Sequence, residues 1–226
     1  MARRSMLCSQ PPSDWLVWQL ADSAFPTGGF AHSSGLEAAW QHGEVRNGLE
    51  LREWVLTSLR QLTHAVLPFV NAAHSEPGRV AEFDRVCEAF TTNHVANRAS
   101  RVLGKALVAA VERTFGVSVR GESLQPPYCH FAPVYGATTR SLALPNEQST
   151  RLFVFMHLRS VVAASVRLNI VGPMEGQAIQ FQFSEEAESV AQNSAQLGLN
   201  DLSQTAPLLD LWQGAQDRLY SRLFQT

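Results

Sequence analysis

The stretch Gln19-Leu-Ala-Asp-Ser-Ala-Phe-Pro-Thr-Gly-Gly-Phe-Ala-His-Ser-Ser-Gly-Leu-Glu-Ala-Ala-Trp40 decides how the chain is read, because it is helical at both ends and broken in the middle. Trp15 to Ala24 reads as an amphipathic helix. Pro26-Thr27-Gly28-Gly29 ends it, and two adjacent glycines permit positive φ and a close backbone approach. A second helix restarts at Ser34, with Ser34 and Glu37 spaced as a capping box, and Gly43 stops it. The product is a hinge bearing Phe30 and His32 between two short helices. It holds more small and polar detail than a plain interhelical turn needs.

Helical spacing continues outward from that hinge. Leu51, Trp54, Val55, Leu59, Leu62, Val66, Phe69, Val70 and Ala73 predict a long helix from about Leu49, bent near Pro68. Ser75-Glu-Pro-Gly78 is a turn, and Val80, Phe83, Val86, Cys87 and Phe90 mark the next helix. Thr91 or Thr92 is placed to cap another that stops at Gly116. Val117–Cys129, with Gly121 and Pro126-Pro127, reads as a loop. His130–Leu144 is a helix ended by Pro145. Glu147 to Asn169 is apolar on most of its circumference and is expected at the bundle centre. Gly176 to about Ala195 is more polar, Asn200–Pro207 is a loop, and Leu208–Phe224 is a final amphipathic helix or tail. With no repeat and no strand-rich block, the class is all-α, a single-domain bundle of roughly eight to ten helices over residues 14–226.

Composition narrows the function. The chain has 226 residues, 45% of them hydrophobic, which is enough for one good-sized core. A net charge of -2 gives no strong field for nucleic acid or anionic lipid. Cysteines 8, 87 and 129 form no metal-ligand or disulfide spacing and suit a reducing compartment. Residues 1–13 hold two arginines but no apolar core after them, so they read as a flexible tail rather than a signal peptide. The apolar run near Ser160–Val166 is too short to span a bilayer. A cytoplasmic protein is expected.

No catalytic pattern survives a check of its spacing. Gly104-Lys105 lacks the other elements of a phosphate-binding loop, which here would fall at Ala99 and Ala106. A small residue at a helix crossing explains Gly104 better. Ala31-His32-Ser33-Ser34-Gly35 echoes a nucleophile elbow, but no strand precedes it. The seven histidines show no HExxH pattern and no CxxC partner. Arg159 and Arg167 lie on the most apolar helix, where an unpaired arginine is costly. Each either pairs with an acid inside the fold or lies on a face that meets another protein. The apolar and aromatic end, Leu219-Tyr-Ser-Arg-Leu-Phe224, suits a protein interface. The alternative is that it docks on its own bundle.

Four pieces, in order, resemble the urease accessory protein UreF family. They are Leu20 through Glu37, His130-Phe-Ala-Pro-Val-Tyr-Gly136, Ala164-Ser-Val-Arg-Leu-Asn-Ile-Val-Gly-Pro173, and Leu208 through Phe224, the third in wording closer to eukaryotic members. The resemblance implies a non-enzymatic, all-α, cofactor-free homodimer. It implies binding to the accessory protein UreD (also UreH) and recruitment of the GTPase UreG, whose GTP hydrolysis UreF is proposed to control. The complex would help insert nickel into apo-urease. On this reading Gly28, Gly29 and Gly35 form the structural hinge. Phe30, His32, Glu37, Arg167, Tyr220, Arg222 and Phe224 are partner-binding, the tail from about 208 meeting the UreD-type protein and Arg167 the GTPase. No residue is assigned to catalysis or to metal. Two departures stand out: Gln216-Asp217 replaces a His-Glu common in bacterial members, and His32 replaces a Tyr. A metallochaperone that binds nickel itself, or a hydrolase using His32 and Ser33, remains the alternative.

Overall fold

The computed structural model describes residues 14–27, 29–117 and 126–226, with the side chain of Phe30 excepted. Eleven α-helices run through the described residues, which contain no strand. They are α1 (Asp14–Ala21), α2 (Leu36–Gln41), α3 (Gly48–Ala65), α4 (Leu67–Ser75), α5 (Val80–Phe90), α6 (His94–Phe115), α7 (Phe131–Ser141), α8 (Asn146–Arg167), α9 (Pro173–Gln182), α10 (Ser184–Ser194) and α11 (Pro207–Ala215). One hydrophobic cluster joins residues from nearly all of them.

Two segments that read as single helices divide. The long helix breaks at Val66 (φ -128°, ψ -50°), one residue before Leu67-Pro68 open α4. The later one starts at Pro173 rather than Gly176 and breaks at Phe183 (φ -89°, ψ 6°), where α10 restarts. Pro68 and Pro173 both occupy first-turn positions, where a missing N–H costs nothing.

The most enclosed helix is α7, not α8. Ala132 through Thr139 are all buried. Small side chains are the reason, because they let neighbouring backbones approach. A Cβ on Gly136 would fall 2.2 Å from the Val70 carbonyl oxygen of α4. One on Gly104 would fall 1.9 Å from the Cys129 carbonyl oxygen, so Gly104 marks a close crossing of α6 and the 128–130 turn. That turn is anchored by buried Asp84, whose carboxylate accepts from the backbone N–H groups of Tyr128 (2.7 Å), Cys129 (3.0 Å) and His130 (2.7 Å). Apolar content alone pointed to α8, yet α8 exposes Arg151, Phe155, Ala163 and Arg167 along one edge.

The cap of α6 is Asn93, not Thr91 or Thr92. Its Oδ1 accepts from Val95 N–H (3.0 Å) and Ala96 N–H (3.2 Å). Its Nδ2 donates to the Asp210 carbonyl at 2.6 Å, which ties α11 to the start of α6. Asn93→Ala is therefore expected to lose about 1–2 kcal/mol in chemical denaturation, the range for a lost cap, with the α11 tie adding to it.

Candidate functional site

The hinge and the tail, far apart in sequence, form one unit. After α11 and a 3-10 turn (Gln216–Arg218), the chain leaves helical geometry and returns over the hinge. Backbone bonds join them: Ser33 N–H donates to the Thr226 carbonyl (2.6 Å) and Gln225 N–H to the Ala31 carbonyl (2.8 Å). The Gln41 side chain adds a bond to the Ser221 carbonyl at 2.9 Å.

Glu37 is the anchor. It is 1% exposed in the first turn of α2. A buried carboxylate is tolerated only when its oxygens are bonded. Here Oε1 accepts from Leu223 N–H (2.5 Å), and Oε2 from Phe224 N–H (3.1 Å) and from Gln216 Nε2 (2.6 Å). The capping box expected between Ser34 and Glu37 is not formed. The N-cap is Gly35 in the left-handed region (φ 87°), without a side-chain cap bond. Glu37 is turned to the tail instead. Ser34 also takes a positive φ of 53°. The conformation that favours glycine thus falls at Gly35. Gly29 does not adopt it, and Gly28 and the Phe30 side chain lie outside the described residues.

The other expected site residues divide into two groups. His32, Glu37, Arg167 and Phe224 converge. His32 Nδ1 pairs with Thr226 Oγ1, and burial first, then the Arg98 charge, lowers its pKa. The Arg167 guanidinium lies 4.3 Å over the ring of buried Phe224, a cation–π geometry. Tyr220 and Arg222 stay outside: Tyr220 is fully exposed and Leu223 beside it is 54% exposed. Arg222 pairs with Asp217 at 3.2 Å. Asp217 also binds Arg98 (2.8 Å) and His94 (3.2 Å), and the Arg98 hydrogen bond leads in holding its carboxyl below the usual range. Gln216 and Asp217, noticed in the sequence only as departures, are thus the residues that seat the tail. Their spacing carries no signal of that, because both partners lie more than a hundred residues away.

His32 and Ser33 both turn to the last residue of the tail; Ser33 Oγ lies 3.4 Å from the Thr226 carbonyl oxygen. Buried His130 is held by Glu88 (2.7 Å) and Ser100 (3.1 Å). Among the described residues, no group of three or more His, Cys, Asp or Glu is placed to hold a metal ion.

Beside this clasp of hinge and tail opens a cleft of about 550 Å³. Leu20, Trp54 and Leu62 supply apolar wall, and His157, Arg159 and Arg167 of α8 line it too. Burial pushes His157 down to about 4, so it is neutral near pH 7; its Nε2 meets Ser58 Oγ at 3.2 Å. The cationic groups of this wall are therefore the arginines.

The chain is similar to known proteins along most of its length. The UreF family model matches residues 45–184, which leaves hinge and tail outside the matched range. The chain is 37% identical over 221 residues to urease accessory protein F of rice (Oryza sativa subsp. indica), covering 94% of this chain and 85% of the relative. It is 36% identical to that of Arabidopsis thaliana (98% and 97%) and 33% identical to urease accessory protein UreF of Mycobacterium tuberculosis H37Rv (91% and 95%).

Proposed function

Because this chain belongs to the UreF family of urease accessory proteins, we propose that it is a non-enzymatic cytoplasmic scaffold that assembles the proteins maturing apo-urease. A UreD- or UreH-type partner docks on the outer edge of the tail. A UreG-type GTPase is recruited along α8 at Arg167, and nickel insertion follows in the assembled complex. The scaffold works as a homodimer.

One observation carries this reading. Glu37 fixes the tail backbone while Tyr220 and Leu223 stay exposed. A rigid strap that presents an aromatic and an aliphatic side chain is a preorganised docking edge. The hydrolase alternative lacks such support, since His32 and Ser33 each bond Thr226.

The test uses the exposed side chains, whose removal leaves the clasp intact. Tyr220→Ala combined with Leu223→Ser is expected to weaken binding of a UreD-type partner at least tenfold by calorimetry, about 1.4 kcal/mol. The helical circular dichroism should be unchanged. Wild-type affinity in this variant would remove the tail edge from the interface.

A further inference from the structure

Ser221 stands exposed in the middle of the docking edge, between Tyr220 and Leu223. Its carbonyl accepts from the Gln41 side chain at 2.9 Å, whereas its hydroxyl takes no hydrogen bond among the described residues. The backbone is already drawn out: Leu219 is extended (φ -68°, ψ 136°), and no helix follows it. Arg218, three residues before Ser221, is exposed. Among the described residues no carboxylate lies within ion-pair distance of it.

That spacing, an arginine three residues before a hydroxyl, falls at Thr63, Ser123 and Ser221. Ser123 lies outside the described residues. Thr63 is inside α3, and its Oγ1 donates to the Leu59 carbonyl at 3.1 Å. Ser221 differs from Thr63 in every respect that matters to a kinase. Its hydroxyl is free to be positioned, its backbone needs no unwinding, and its upstream guanidinium is free to pair with a carboxylate of the enzyme.

We propose that Ser221 is a phosphorylation site for a protein kinase that selects arginine at this spacing, and that the phosphate switches off docking of the UreD-type partner. In the transfer, Ser221 Oγ attacks the γ-phosphorus of magnesium-bound ATP held by the kinase. The bond from that phosphorus to the bridging oxygen breaks, ADP leaves with the electron pair, and the hydroxyl proton passes to the base of the kinase. The product carries about -1.5 to -2 charges between Tyr220 and Leu223. Burying that charge in a protein contact is costly. The seat of the tail suffers as well. Arg222 pairs with Asp217 at 3.2 Å, and a phosphate beside it competes for that guanidinium. It also repels the Asp217 carboxylate, which holds the tail through Arg98 at 2.8 Å. This rests on the docking edge described above and adds its regulation.

The experiment treats the full folded chain with magnesium ATP and calmodulin-dependent protein kinase II, which selects arginine at this spacing, and maps the product by peptide mass spectrometry. Ser221 is expected to be modified at least tenfold faster than Thr63, and Arg218→Ala to slow its modification at least tenfold. The phosphorylated chain should bind the UreD-type partner at least tenfold more weakly than the untreated chain. Kinase treatment of Ser221→Ala should leave the affinity of that variant as it was. Failure to modify Ser221, or equal modification of Thr63, overturns the proposal. So does full modification of Ser221 with no loss of affinity, and in that case the scaffold reading stands. If the untreated wild-type chain binds no UreD-type partner, both readings fall.

Discussion

Glu37→Ala should release the tail from the hinge. In amide hydrogen exchange, Leu223 and Phe224 are expected to exchange at least about 100-fold faster than in wild type. Two of the bonds lost are backbone N–H groups donating to a carboxylate, each worth roughly 1.5–3 kcal/mol. They are 2.5 and 3.1 Å long, and Gln216 Nε2 loses its 2.6 Å acceptor with them. No water-exposed alternative is at hand, because Gln216 and Phe224 are buried. Amides of α4 and α7 should keep their protection, since neither helix touches the tail through these bonds. Unchanged exchange at Leu223 and Phe224 would mean that the tail is held by Phe224 packing and the Ala31 and Ser33 backbone bonds alone.

Gly35→Val should be the most damaging change in the hinge, with a loss of about 3 kcal/mol or more in urea denaturation. Two effects add. The backbone there has φ 87°, which a β-branched residue adopts at a cost of order 1–3 kcal/mol. A Cβ would also lie 2.7 Å from the Gln213 backbone nitrogen, so α2 and α11 must part. Gly29→Val is the contrast. Its nearest neighbour would be Thr27 Oγ1 at 3.9 Å, and its φ is not positive. It should cost less than about 1 kcal/mol, in the range of ordinary surface changes. Equal losses at the two positions would contradict the assignment of the hinge to Gly35.

The helices were legible because periodicity is a local signal. The helix marked by Val80, Phe83, Val86, Cys87 and Phe90 and the stop at Gly116 are both found. The break at Val66 falls two residues before Pro68, where a bend was expected, whereas the one at Phe183 was not legible, since Phe183 is no helix breaker in itself. Central placement of α8 followed from its apolar content, whereas enclosure is decided by how closely backbones approach. Gly136 and Gly104 give α7 and its preceding turn that proximity. The same limit applied at the site. Ser34 and Glu37 have the spacing of a capping box, but partners 179 to 187 residues further along the chain are invisible to spacing. A tail that brings three donors outcompetes the local cap. Arg159 shows the reverse case: the sequence left open an internal acid or a partner, and the fold supplies no acid at contact distance.

The central claim is that the clasp holds the tail edge ready for its partner, and the affinity of the UreD-type protein for Glu37→Ala tests it most directly. Ordering a loose strap at the moment of binding costs affinity that a preformed one retains. The prediction is a Kd at least tenfold weaker than wild type, with the melting of the remaining helices nearly unchanged. An equal or tighter Kd would contradict it, because the tail would then act as a released arm rather than as an edge fixed by Glu37.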